Sequence, residues 1–156
     1  MMLDFYKMTS AGHDFVLLDN RDLSLSSVLT PDNITDICDR GYGVGAAAII
    51  VVEPSGKDAD VRMRYFKADG TEAEPCGHGV ACFTAFVDFL MESGMQQVQL
   101  ETMTGTAVGT VNEDDTVSVI LRPASDEQSL TAPALIIFRG QMILFCGDEC
   151  GCGSCE

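Results

Sequence analysis

The sequence predicts an α+β fold in which a mostly antiparallel sheet is curled around one central apolar helix. The first observation is a helical segment from about Gly79 to Ser93 that is apolar nearly all round, as expected for a helix buried on most sides. The second is that short alternating segments, typical of strands, flank it in the chain. A length of 156 residues suits one domain. We expect that domain to span residues 1–145, with a disordered Cys- and Gly-rich tail at 146–156.

The N-terminal part predicts a hairpin followed by a short helix. Leu3, Phe5 and Lys7 alternate with their neighbours before the turn TSAGHD, and FVLLD forms the second strand. The segment TPDNITDICDRG has an apolar stripe at helical spacing. Its boundary signals are an N-cap, a proline at the first helical position and a glycine stop, at Thr30, Pro31 and Gly41.

Two strands precede the central helix. GVGAAAIIVVEP reads as a turn followed by a buried strand, and DADVRMRYFKADG alternates along its length. In the alternating strand, one face is expected to carry Val61, Met63 and Tyr65, and the other Arg62, Arg64 and Phe66. In the central helix, the polar residues Thr84, Asp88 and Glu92 are spaced four apart and share one narrow stripe. Gly94 is expected to stop the helix.

The remainder of the chain predicts more sheet. QQVQLET, GTAVGTV and TVSVILR are strand candidates, and the last two are linked by the acidic turn NEDD. PASDEQSLTAP is predicted to be a loop. ALIIFRGQMILF is predicted to be a final hairpin with Arg139–Gly140 at its turn.

Charge and hydropathy exclude several function classes. The formal charge is −15, from 24 acidic and 9 basic residues, which argues against binding a nucleic-acid backbone or an anionic membrane surface. No run of about 18 apolar residues exists to span a membrane, and the N-terminus does not resemble a signal peptide. We therefore expect a cytoplasmic protein. The charge does not exclude a small zwitterionic ligand, whose binding depends on local groups.

Cys76, in the stretch EPCGHGVAC, is the candidate reactive group. A helix N-terminus offers free N–H groups and a partial positive charge, which favour a thiolate and can hold a carboxylate. Gly77 and Gly79 would let the backbone approach a ligand closely. The alternative is that Cys76 is a small buried hydrophobe. Cys38 and Cys82 fit apolar faces and are expected in the core.

Several separated motifs resemble one family. FYKMTSAGHDFVLLD, CDRGYGVGAAAIIVVEPS, MRYFKADGTEAEPCGHGVACFTAFV and TGTAVGTV occur in the order found in the N-terminal half of diaminopimelate epimerases, from Phe5 to about Arg122. LTAPALIIFRGQMI is similar to the C-terminal strands of that family, which return to pack on the first domain. CGHG also resembles, locally, the site motif of proline racemase and hydroxyproline epimerase.

The resemblance implies a diaminopimelate epimerase-like domain and an isomerase function. The family has two similar domains, each a sheet around a helix, with the site between them. It needs no cofactor: a cysteine from one domain removes the α-proton of an amino acid, and one from the other returns a proton on the opposite face. Cys76 corresponds to the first domain's cysteine, no metal is implied, and the implied substrate-binding positions are Gly77, His78, Gly79, His13 and Lys67.

The sequence departs from the family at the ligand positions. His13, Lys67 and His78 stand where the family has Asn, Ala47 where it has Asp, and Ala81 where it has Arg. No second-domain helix motif is found after Arg122, because GCGSC in the tail is not followed by an apolar helix. A homodimer could supply the missing half-site. The alternatives are a non-catalytic remnant that binds a small molecule or a protein partner, and a truncated gene product.

Four interpretations of the two histidines remain open. His13 and His78 could reflect drift at a relaxed site, an altered substrate, a Cys–His pair that stabilises the thiolate, or a zinc site with Cys76. The tail cysteines allow a similar choice. Cys146, Cys150, Cys152 and Cys155 suit an oxidisable, disordered tail better than a zinc site, since the pair of separated CxxC motifs is missing.

Overall fold

A computed structural model of the chain describes residues 2–56, 58–92, 96–122 and 127–144. The sheet strands are β1 to β9 in chain order: Met2–Ser10, His13–Asp19, Ala48–Glu53, Val61–Lys67, Gln97–Glu101, Thr106–Val111, Thr116–Arg122, Gln128–Pro133 and Leu135–Ile143. The α-helices are α1, Pro31–Cys38, and α2, Gly77–Met91, and a short 3-10 helix spans Ser26–Val28. The predicted tail at 146–156 and the Gly94 stop lie outside the described residues.

The strands form one nine-stranded sheet in the order β8-β7-β6-β5-β4-β3-β2-β1-β9. The pairs β2–β3 and β4–β5 are parallel, and the other neighbouring pairs are antiparallel. A parallel pair needs a long crossover, and here each crossover contains one of the two α-helices. The prediction of a mostly antiparallel sheet around a central helix is confirmed.

Each face of the sheet packs against one helix. Strand β3 shows this best, because all six of its residues are buried. Ile50 and Val52 belong to the cluster that contains α2, whereas Ile49 and Val51 belong to the cluster that contains α1. Such two-sided burial explains why β3 is a continuous apolar run. The alternation predicted for β4 is also confirmed, with Val61, Met63 and Tyr65 on the α2 side and Phe66 on the α1 side.

Helix α2 lies very close to the sheet at one glycine. A Cβ built on Gly109 in β6 would be 1.9 Å from the Thr84 Oγ1 atom. Thr84 is fully buried, and its hydroxyl donates to the carbonyl of Val80 at 2.8 Å. Thr84 was predicted to lie on a polar stripe, but its hydroxyl bonds within the helix, so the helix can bury that position.

Three predictions about chain boundaries were wrong. The segment around Arg139–Gly140 is not a turn: β9 pairs with β1 along its length, and Gly140 lies opposite Phe5, whose ring would be 3.3 Å from an added Cβ. Part of the predicted loop PASDEQSLTAP forms β8, which pairs with β7. Helix α1 ends at Cys38, where Asp39 adopts an extended conformation, so Gly41 does not stop it.

The connection between β8 and β9 shows how strongly the sheet curls. These strands form its opposite edges, yet Ala134 alone separates them in the chain. One residue can join the two edges only if curling brings them together around α2. Ala134 packs against the cluster that contains α2. No helix in the described part of the chain is long and apolar enough to cross a membrane.

Candidate active site

Cys76 lies immediately before α2 and caps it. Its backbone is extended, with φ −86° and ψ 163°, and its carbonyl accepts the first helical hydrogen bond from Val80 N at 3.0 Å. The Sγ atom accepts a hydrogen bond from Gly79 N at 3.4 Å. The predicted helix started two residues late, but the placement of the thiol at the helix start agrees with the sequence. Cys76 is exposed, so the hypothesis of a buried hydrophobe is wrong.

Tyr65 in β4 contacts the thiol from the sheet. Its hydroxyl oxygen lies 3.7 Å from Sγ of Cys76, and its ring meets Phe15 edge-on with centroids 6.3 Å apart. Burial, and secondarily Cys76, raise the pKa of the Tyr65 phenol. The sequence placed Tyr65 on the face that packs on α2 but did not mark it as a site residue. The alternation of β4 was the available signal.

The glycines on either side of His78 lie close to neighbouring side chains. A Cβ on Gly77 would be 2.7 Å from the Leu130 Cδ2 atom of β8. A Cβ on Gly79 would be 3.1 Å from the Tyr65 ring and 3.5 Å from Sγ of Cys76. Both glycines were predicted to let a ligand approach. The structure adds that they let β8 and β4 approach the start of α2.

The two histidines meet, although His13 lies at the start of β2 and His78 lies in the first turn of α2. The imidazoles of His13 and His78 are stacked, with centroids 4.4 Å apart and ring planes at 17°. Nδ1 of His78 shares a hydrogen bond with the Ser10 hydroxyl at 3.1 Å. Burial lowers the pKa of His78, and the charge on His13 lowers it further. This arrangement favours a neutral His78 ring, stacked on His13 beside the helix start.

In the part of the chain that the structure describes, no recorded contact joins the Lys67 side chain to Cys76, His13 or His78. Lys67 ends β4, and its backbone N–H and carbonyl close a turn with Thr71 and Gly70. Gly70 has φ +94°, which a glycine adopts without strain. The exposed Lys67 ammonium contributes, after hydrogen bonds from Thr71, to lowering the pKa of Asp69.

An ion-pair cluster fixes the chain next to His13. The carboxylate of Asp14 pairs with both guanidinium nitrogens of Arg40 at 2.9 Å and with Lys7 at 3.1 Å. The Arg40 hydrogen bond lowers the pKa of Asp14 far below its usual range, although partial burial opposes this shift. Oδ1 of Asp14 also accepts from Ala47 N at 3.2 Å. Ala47 therefore joins the ion-pair cluster through its backbone N–H, and the cluster holds β2 in place.

The other described thiols are in the core, as predicted. Burial raises the pKa of the Cys38 thiol to about 11 and that of the Cys82 thiol to about 12. Within the part of the chain that the structure describes, no three His, Cys, Asp or Glu side chains are arranged to hold a metal ion. The zinc hypothesis for Cys76, His13 and His78 therefore has no geometric support. The four tail cysteines lie outside the described residues.

A family model described as diaminopimelate epimerase matches residues 5–125. The chain is 39% identical, over 124 residues, to the diaminopimelate epimerase of Synechococcus elongatus. That match covers 80% of this chain and 44% of the relative. A chloroplastic diaminopimelate epimerase of Oryza sativa subsp. japonica is 39% identical over 118 residues, covering 75% of this chain and 33% of the relative. The chain thus spans less than half the length of these relatives.

Solved structures share the fold at low sequence identity. A phenazine biosynthesis protein of the PhzF family from Enterococcus faecalis superposes with a TM-score of 0.57 at 16% identity, covering 77% of this chain and 44% of that one. A hydroxyproline epimerase from Agrobacterium vitis, solved with bound trans-4-hydroxy-L-proline, gives a TM-score of 0.55 at 16% identity, covering 77% and 41%. These matches establish the architecture around α2.

Proposed function

Because this chain belongs to the diaminopimelate epimerase family, we propose that it carries one half of a cofactor-independent amino-acid epimerase or racemase site. Cys76 is the base at Cα in this proposal. The observation that carries it is an exposed thiol that caps a buried helix. A catalytic base must reach the proton it removes, and an exposed sulfur at a helix start meets that requirement.

The proposed reaction begins with the Cys76 thiolate. Sulfur takes the α-proton, so an S–H bond forms while the Cα–H bond breaks, and the electron pair left at Cα spreads into the substrate carboxylate. Free N–H groups at the start of α2 can bind that carboxylate and stabilise its growing charge. Gly77 and His78 supply the backbone there, next to Gly79, whose N–H donates to Sγ of Cys76, and His13 borders the site through the ring stack. We assign Lys67 to the rim of the substrate site, at the end of β4.

Inversion needs a proton donor on the opposite face of Cα, and we assign that role to a second copy of this chain. In a homodimer, two Cys76 thiols would face one substrate. The apolar surface of β9 supports self-association, because Leu135, Ile137 and Ile143 are each more than half exposed. Light scattering should then show a dimer, whereas a monodisperse monomer at high concentration contradicts this assignment.

Hydrogen exchange at Cα tests the role of Cys76. Wild-type protein, incubated in D2O with diaminopimelate, proline or hydroxyproline, should exchange the α-hydrogen of at least one of them, followed by NMR. Cys76→Ala should lower the exchange rate at least about 100-fold, since a positioned base contributes about that much. Cys38→Ala, which removes a buried thiol, is the matched control and should exchange normally. Equal exchange by Cys76→Ala would sink the proposal.

A non-catalytic binding function is the second candidate. The substitutions at the ligand positions favour it, in particular Ala81, which is fully buried in the α2 core where the family motif has Arg. A binding protein would hold an amino acid in calorimetry but leave its α-hydrogen unexchanged. Exchange that depends on Cys76 would rule out this candidate.

A further inference from the structure

The Tyr65 ring is half-buried against an apolar wall, and its hydroxyl lies at the exposed edge of that wall beside Cys76. Tyr65 packs against the core cluster around α2, and its neighbours there include Phe15 and Gly79. A tyrosine hydroxyl at the edge of an apolar surface usually makes a hydrogen bond. Among the described residues, its partner is Sγ of Cys76, at 3.7 Å. A phenylalanine would fill the same space, so packing alone does not account for the oxygen.

We propose that Tyr65 is a positioning residue for Cys76: its hydroxyl donates a hydrogen bond to the thiolate, holds the sulfur in one position and favours its ionised form. This inference rests on the proposed role of Cys76 as the base. The sulfur then has two donors, the Gly79 N–H from α2 and the Tyr65 O–H from β4. Two donors from different elements restrict rotation about the Cys76 side chain, which fixes the direction from which Cα must approach.

The direction of donation follows from the phenol. Because burial and the neighbouring Cys76 raise the pKa of Tyr65, the phenol keeps its proton when the thiol ionises. It can therefore act as a donor to the thiolate. Hydrogen bonds that involve a charged partner are stronger than those between neutral groups.

Other titratable groups near this pair do not replace Tyr65. Cys38 acts on Tyr65, and Cys82 interacts with Cys76, but burial keeps both thiols protonated. Glu74 precedes the site, yet its carboxylate accepts from Thr102 Oγ1 at 3.2 Å and from Thr104 N at 2.9 Å. His78 follows in α2, and its lowered pKa favours the neutral ring.

Site-resolved alkylation of Cys76 tests the inference without requiring turnover. The rate of iodoacetamide labelling is measured from pH 5 to 10 by mass spectrometry with fragment-ion localisation. In Tyr65→Phe, the pH of half-maximal labelling should rise, and the rate at pH 7 should fall about fivefold, as expected for a lost charge-assisted hydrogen bond in a part-exposed site. Tyr42→Phe, at a residue that is 73% exposed, should label as wild type does. An unchanged or lowered midpoint in Tyr65→Phe overturns the inference.

A second measurement does not depend on the folding of Tyr65→Phe. In Cys76→Ser, the charge of the thiolate is removed, so the pKa of Tyr65 should fall relative to wild type, as followed by NMR of labelled tyrosine. No change in that titration would also overturn the inference.

Failure of the proposed function and failure of this inference give different results. If the wild-type protein exchanges no Cα hydrogen, but Tyr65→Phe still raises the pH of half-maximal Cys76 labelling, the positioning role of Tyr65 is kept and the epimerase function is rejected. Where exchange is present, Tyr65→Phe should lower kcat and leave KM nearly unchanged, because the hydroxyl contacts the base and not the substrate.

Discussion

The two helix starts in this protein have the same topological task but different caps. Both α1 and α2 lie in crossovers between parallel strands, on opposite faces of the sheet. Helix α1 begins with Thr30, whose hydroxyl accepts from Asn33 N at 3.2 Å, followed by Pro31. Helix α2 begins with Cys76, whose sulfur accepts from Gly79 N at 3.4 Å, followed by Gly77.

These caps indicate that the α2 start is not optimised for helix stability. Ser, Thr, Asp and Asn are the preferred caps, and sulfur is a weak acceptor. Glycine at the first helical position also has an entropic cost that Pro31 avoids in α1. At α2, a weaker cap leaves an exposed sulfur where free N–H groups point outward. This is the arrangement expected of a functional site.

The two helices also differ in how much of their surface is buried. Helix α1 buries one apolar stripe, formed by Ile34, Ile37 and Cys38. Helix α2 is buried for most of its length and touches the sheet at Gly109. The core therefore holds α2 firmly enough to tolerate an unfavourable start.

The largest expected effect is that of Gly109→Ala, which would break the close packing of α2. The new Cβ would lie 1.9 Å from Oγ1 of Thr84, so the helix must move. We expect the free energy of unfolding to fall by about 3 kcal/mol, as for severe overpacking. Urea denaturation measures it. Gly56→Ala is the control, because nothing lies within 4 Å of its Cβ, and a loss below about 1 kcal/mol for Gly109→Ala would contradict the packing argument.

Substitution of the cap residues should change the free energy of unfolding in opposite directions at the two helices. Thr30→Ala removes a good cap and should lower the free energy of unfolding by about 1 kcal/mol. Cys76→Ser replaces sulfur by a better acceptor, so stability should be kept or raised while Cα exchange is lost. Thermal and urea unfolding compare the two variants. If Cys76→Ser destabilises the protein as much as Thr30→Ala does, the α2 cap is structural and the comparison fails.

The smallest expected effect concerns pH and is confined to the α2 start. The pKa of His78 is lowered in the folded state by burial and by His13, so the unfolded chain binds the proton first as pH falls. The stability from this ring is complete above the ordinary histidine pKa of about 6.5. It is lost as pH falls through the lower folded value.

His13→Asn should raise the pKa of His78 and reduce that loss of stability. NMR titration measures it without ambiguity, because the chain has two histidines and His78 is then the one that remains. A pKa of His78 that stays the same, or that falls, would show that the ring stack does not couple the two titrations.

The sequence predicted most elements because their patterns reflect local physics. Thr30 and Pro31 marked the start of α1, and the alternation from Val61 to Phe66 assigned β4 residues to the correct faces. The apolar circumference of α2 predicted its central position. In the site, the motif around Cys76 predicted the thiol at the helix start.

The errors arose where long-range pairing outweighed local signals. Arg139–Gly140 has the composition of a turn, yet Gly140 lies in a strand and packs closely against Phe5 of β1. The two residues are more than one hundred positions apart in the sequence. Gln128–Pro133 is polar and looks like a loop, but β7 offered it a free edge. Neither partner can be identified from the residues of the segment itself.

The fold class, the family motifs and the candidate thiol could all be predicted from the sequence, because caps, periodicity and motif spacing are local properties. The groups that surround that thiol depend on long-range contacts in the folded chain. The tertiary structure brought Tyr65 from β4 to 3.7 Å from Sγ of Cys76 and stacked His13 on His78. Curling of the sheet around α2 made these contacts, since it placed the start of β2 and the end of β4 beside the helix start.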